Sequence, residues 1–123
     1  MRLWGAIVLA LSGLMGAAGG GLAAIGAHLS GGTLVPIAAN FLLFHAAAGA
    51  GISAGSPRPG RRGVVLLVGT SALVLGAALF AADLVVRQMS GVPLLWGTAP
   101  TGGTIAILGW LAIAVAALLG ETS

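Results

Sequence analysis

Polar positions along the chain are few and clustered, and the stretches between them are apolar on every side. The first apolar run extends from residue 3 to 27, the second from 34 to 54, the third from 63 to 86 and the fourth from 103 to 119. At about 1.5 Å of rise per residue, roughly 20 helical residues cross the hydrocarbon core of a bilayer. The first three runs reach that length. The fourth is shorter and is expected to begin in the interface near Thr101. Lipid offers the backbone no hydrogen-bond partners, so a spanning segment must be a helix or part of a closed barrel. Barrel strands alternate polar and apolar residues over about ten positions, and no run here does. The expected fold is all-α: a four-helix transmembrane bundle, up-and-down and antiparallel because the links are short.

Composition agrees with that pattern. Only 6% of the 123 residues are charged and 59% are hydrophobic, against roughly 25% charged in soluble domains. Such a chain cannot cover itself with polar surface, so its main solvent is the lipid bilayer. The five basic residues are Arg2, Arg58, Arg61, Arg62 and Arg87. Three of them share one short link, so no basic face exists for nucleic acid to follow. With four spans, Arg2, Arg58, Arg61 and Arg62 fall on one side, and the positive-inside rule puts that side and both termini in the cytoplasm. Trp4 and Trp96 lie near run ends, where indole rings favour the interface, whereas Trp110 lies deeper and is expected to pack against a helix. The first run exceeds the apolar core of a signal peptide, about 7–15 residues, so it is read as a retained helix. Cysteine is absent, which removes disulfides and thiolate chemistry.

Helices in lipid associate through close contact between small residues. Ser12, Gly16, Gly20 and Ala24 recur every four residues on the first helix and lead to His28, so this stripe is the expected packing face. Weaker small-residue patterns are Ala47, Gly51 and Gly55 in the second helix, Ala72 and Gly76 in the third, and Ala112, Ala116 and Gly120 in the fourth.

Within or beside the runs, the polar groups are His28, Asn40, His45, Asp83 and Arg87. Ionisable groups inside a membrane are costly and usually face the bundle interior. His28, Asn40 and Asp83 are expected to gather near the outer face, with Arg87 one turn beyond Asp83 and able to pair with it. His45 lies about 16 Å along its helix from Leu34, near mid-membrane. Three roles stay open for it: a structural hydrogen bond, a proton or ligand site, or a metal or haem ligand. Zinc wants four ligands, or three and water, and the two histidines sit at different depths. No cofactor or metal is therefore expected. Neither a nucleophile elbow, a phosphate-binding loop nor a dinucleotide fingerprint occurs, and the chain does not read as an enzyme.

Several of these positions also carry a resemblance. Ala24–His28 (AIGAH) resembles the "GAFGAH" close of the first helix in the YgdD-like family, domain of unknown function 423. Phe41–Ala46 (FLLFHA) resembles its "YxxYHA" motif, and Leu79-Phe80 its "LFSGSLY" segment. Ala99–Gly103 (APTGG), followed by Gly109-Trp110, resembles "TPIGG…GW". Order and spacing agree across nearly the whole chain. The resemblance implies a small bacterial inner-membrane protein of four helices with no established activity. It implies motif positions at His28, His45, Pro100, Gly102, Gly103 and Trp110. Phe41 and Phe44 stand where the family has tyrosines, Asp83 where a serine is usual and Val85 where a tyrosine is.

Of three functional classes, an enzyme or cofactor protein has the least support and two remain in front. One is a structural or accessory membrane protein that binds a membrane-protein partner or forms a homo-oligomer. The other is a small oligomeric transporter or channel, its polar path near His45 and the His28/Asn40/Asp83 cluster. A discontinuous helix near Pro36 or Pro100 would favour the second.

Overall fold

In the computed structural model, which describes residues 2–28, 32–55, 58–95 and 97–120, all regular structure is helical. Four helices follow in order: α1 Arg2–His28, α2 Leu34–Ser53, α3 Gly60–Ser90 and α4 Thr98–Leu118. Each is long and apolar enough to cross a membrane. Trp96 lies outside the described residues.

Two boundaries differ from expectation. The third helix is 31 residues long, not the 24 of its apolar run, and so about 46 Å from end to end. Arg61 and Arg62 form its first turn, after Pro59 at the N-cap and Gly60 with a positive φ of 70°. Their charge made this turn look like loop. Arg61 and Arg87 stand about 39 Å apart along the axis, more than the roughly 30 Å hydrocarbon thickness, so α3 is long enough to carry both to headgroup depth. At the far end Gly91, φ 81°, closes α3 in the left-handed conformation, its N–H donating to the Arg87 carbonyl. That geometry is the usual glycine stop signal.

The fourth helix starts at Thr98, five residues before its apolar run, and its 21 residues suffice to span. Pro100 sits in its first turn and Pro36 in the first turn of α2. There the missing N–H costs nothing, because first-turn N–H groups have no intrahelical partner. Both helices run unbroken, so the prolines mark starts rather than discontinuities.

The bundle is open. α3 packs against α4, against α2, and lightly against α1, while α1 also packs on α2. α1 and α4 occupy opposite edges. Between α1 and α3 runs an apolar groove of about 1000 Å³, lined by residues such as Leu11, Leu14, Ala18, Ala78 and Ala82. The interior core joins Val8, Met15, Ala38, Leu42, Val74 and Ala77.

The face that α1 buries is not the expected stripe. Ser12 is buried and Gly16 makes an ordinary contact with Ala46, but Gly20 and Ala24 are exposed. Each step of four residues overshoots a 3.6-residue turn by about 40°, so by Ala24 the stripe has rotated about 120° off the interface. The buried line instead steps alternately by four and three: Val8, Ser12, Met15, Gly19. That period of 3.5 is what keeps a seam facing its partner helix. On α2 the same logic selects Ala38, Leu42, His45 and Gly49, and leaves Ala47 and Gly51 exposed. Gly49 is essential to the fit, since a Cβ there would strike the Ser12 hydroxyl and lie 3.1 Å from Val74.

Candidate functional site

A close backbone contact between α3 and α4 sets the geometry of the polar centre. Gly69 and Gly76 of α3 face Gly102 and Gly109 of α4 so closely that backbones touch. A Cβ on Gly102 would lie 2.6 Å from the Phe80 nitrogen and 2.7 Å from the Gly76 carbonyl. One on Gly109 would lie 2.7 Å from the Gly69 carbonyl. Gly103, its neighbour in sequence, would meet only Phe80, at an ordinary 3.7 Å. Gly102 is thus required by packing and Gly103 is not.

Trp110, the residue after Gly109, reaches from α4 to α2. Its indole N–H donates to Nε2 of His45 at 3.1 Å, while Nδ1 of His45 lies 2.7 Å from the Phe41 carbonyl oxygen. An indole only donates and a carbonyl only accepts. The hydrogen on the imidazole must therefore be on Nδ1, and both ring nitrogens are engaged. The rings agree: His45 stacks on Phe41 at 4.2 Å, Phe41 lies 4.2 Å from Phe80, and His45 meets Trp110 edge-on at 5.7 Å. Phe80, Phe41, His45 and Trp110 thus form a chain across α3, α2 and α4 near mid-membrane. Backbones of α2 and α4 do not approach each other; this hydrogen bond joins them. His45 is 6% exposed and Trp110 43%, so the indole covers the imidazole from lipid.

Near the other end of α3, Asp83 is fully buried. One carboxylate oxygen accepts the Leu94 N–H at 2.6 Å; the other accepts from Arg87 at 2.9 Å. The Ala99 N–H, in the first turn of α4, adds to the field on the carboxylate. Asp83 therefore ties down the link between α3 and α4 and places negative charge at the positive start of α4, which has no side-chain cap of its own. Arg87 remains 42% exposed, as an interfacial partner should be.

One turn on, Gln88 does the same for α2. Its Oε1 accepts the Val35 N–H at 2.7 Å, filling the role that Thr33 at the N-cap leaves empty. Gly32 makes room: a Cβ there would collide with the Gln88 amide. At the opposite end Trp4 donates to the Ser71 hydroxyl at 2.9 Å and links α1 to α3. Ser71 in turn donates to the Leu67 carbonyl at 2.7 Å.

The expected outer cluster does not form. His28 and Asn40 are exposed, and Asp83 takes its partners from Arg87 and the α3–α4 link. Spacing placed these groups at one depth, but depth does not fix rotation about a helix axis. Asn40 follows Ala39 on the buried face and so turns outward; Asp83 falls in line with Gly69, Gly76 and Phe80 along the α4 contact. His45 and Gly102 are brought into the packed interior, Trp110 covers His45 from outside, and Pro100 and Gly103 stay at the edge. Gln88, Ser71 and Gly32 were not foreseen. Gln88 carries the clearest signal, an uncharged amide one residue past Arg87 and opposite a helix start that lacks a side-chain cap. Among the described residues no group of three histidine, aspartate or glutamate side chains converges as a metal site.

No family model matches this sequence, and no curated protein or solved structure matches it either.

Proposed function

We propose that this chain is an accessory protein of the bacterial inner membrane, with both termini cytoplasmic, that works by binding a membrane-protein partner or further copies of itself. One observation carries the reading: the ionisable groups buried in the bundle, His45 and Asp83, spend their polar atoms on structural hydrogen bonds. Both nitrogens of His45 are engaged, and both oxygens of Asp83 accept hydrogen bonds. A catalytic or proton-carrying group needs a free valence toward its substrate, and His45 offers none in this arrangement. His28 and Asn40 turn outward instead of extending a path from His45, which weighs against a channel.

The YgdD-like resemblance supports the same reading. Its motif positions His45 and Trp110, which lie on different helices, are hydrogen-bonded to each other. The positive-inside rule supports the orientation, since Arg58, Arg61 and Arg62 share one end of the bundle with Arg2.

Purification in mild detergent, followed by mass determination of the intact assembly, tests the proposal. A stoichiometric homo-oligomer or a stoichiometric membrane-protein partner is the expected result. Proton or solute flux in proteoliposomes that disappears in His45→Ala would overturn it in favour of transport.

A further inference from the structure

We infer that the cleft between the start of α3 and the end of α4 binds the headgroup of an anionic phospholipid. The cleft measures about 670 Å³. Its rim carries Arg58 and Arg61, both exposed, and its floor is Val64, Val65, Val115 and Leu119. Charge and depth are matched to a lipid rather than to a soluble anion. Arg61 stands at headgroup level, and Val64 and Val65 lie one turn deeper, where acyl chains begin. Guanidinium groups pair with phosphate in a planar, bidentate manner. The first turn of α3 contains no acidic residue, so nothing on that turn offsets the positive end of the helix. Asp83, the acid buried in the bundle, is at the other end of α3.

Basic clefts between spans on the cytoplasmic side are where anionic headgroups are favoured. A zwitterionic lipid brings its own cation to the same rim and forfeits the gain. A free phosphate satisfies the arginines but leaves the valine-lined floor empty. The inference rests on the orientation proposed above, with this end of the bundle at the cytoplasmic face, but it stands whether or not the accessory role does.

Native mass spectrometry of the detergent-solubilised full chain, with phosphatidylglycerol or phosphatidylcholine added, tests it. Wild type is expected to retain phosphatidylglycerol over phosphatidylcholine. Each cleft arginine is expected to contribute about fivefold, so Arg58→Gln/Arg61→Gln loses roughly twenty-five-fold. Arg2→Gln, which removes a charge at the same end, should change retention less than twofold. Leu119→Trp, which fills the floor without altering charge, should also weaken retention. Equal retention of the two lipids overturns the inference, as does an Arg2→Gln loss equal to that of Arg58→Gln, which would mean diffuse surface charge. Competition by millimolar inorganic phosphate overturns the lipid assignment.

Discussion

Gly102 and Gly103 are adjacent, identical and equally prominent in the sequence, yet their alanine variants should behave oppositely. In Gly102→Ala the new Cβ would start 2.6 Å from the Phe80 nitrogen and 2.7 Å from the Gly76 carbonyl. Both are backbone atoms and cannot swing aside. Ordinary contact begins near 3.4 Å, so α3 and α4 must part locally by about 0.8 Å. A gap of that size forfeits about a quarter to a half of each dispersion contact along the seam. Overpacking of this kind typically costs about 1–3 kcal/mol, and we expect about 2. The higher helix propensity of alanine, at most about 1 kcal/mol in water, does not offset it. Gly103→Ala meets Phe80 at 3.7 Å, pays no such cost, and should be neutral or up to about 1 kcal/mol more stable. Reversible unfolding in mixed micelles by SDS titration, followed by tryptophan fluorescence, reads the difference. Two variants of equal stability would refute the claim that α3 and α4 touch backbone to backbone at Gly102.

Further outcomes follow from the same contacts. Trp110→Phe keeps the ring but leaves Nε2 of His45 without its donor. It should cost about 0.6 kcal/mol, and at most about 1.7, the range for hydrogen bonds between membrane helices; SDS titration checks this, and no loss would contradict the tie. Gly32→Ala should displace the Gln88 amide from Val35 and cost about 1 kcal/mol, the usual worth of an N-cap, with faster hydrogen exchange at the Val35 amide as the specific signature. Asp83→Asn retains an acceptor for the Leu94 N–H, whereas Asp83→Ala retains none. Limited proteolysis should therefore cut the 91–97 link faster in the alanine variant than in the asparagine variant. Gly20→Leu should leave stability unchanged because Gly20 is exposed, whereas Gly19→Leu should destabilise, because even a Cβ at Gly19 would lie 3.0 Å from Leu43.

The number of helices and their approximate spans were readable from hydropathy alone, because lipid demands long uninterrupted apolar helices and the chain supplies four. Rotation about each axis was not. Gly16 and Gly20 fit a spacing of four equally well, and only the partner helix decides that Ser12 and Gly19 are inside while Gly20 and Ala24 are outside. Helix ends were obscured wherever charge continued a helix past the hydrocarbon, as at Arg61 and Arg62. The depth of His45 and the packing of Trp110 against another helix were visible, but their pairing was not, since it depends on Gly109 bringing α4 against α3. Asp83 with Arg87 was foreseeable from their four-residue spacing. The bonds from Asp83 to Leu94 and from Gln88 to Val35 were not, because each crosses from a helix to a backbone N–H that sequence patterns do not mark.

The ring nitrogens of His45 test most directly whether the mid-membrane polar group is a helix tie. Nitrogen-15 NMR of histidine-labelled protein in bicelles at neutral pH distinguishes the two nitrogens. The structure predicts a protonated Nδ1 and a bare, hydrogen-bonded Nε2 whose shift moves in Trp110→Phe. A protonated Nε2, or shifts indifferent to Trp110→Phe, would contradict the account.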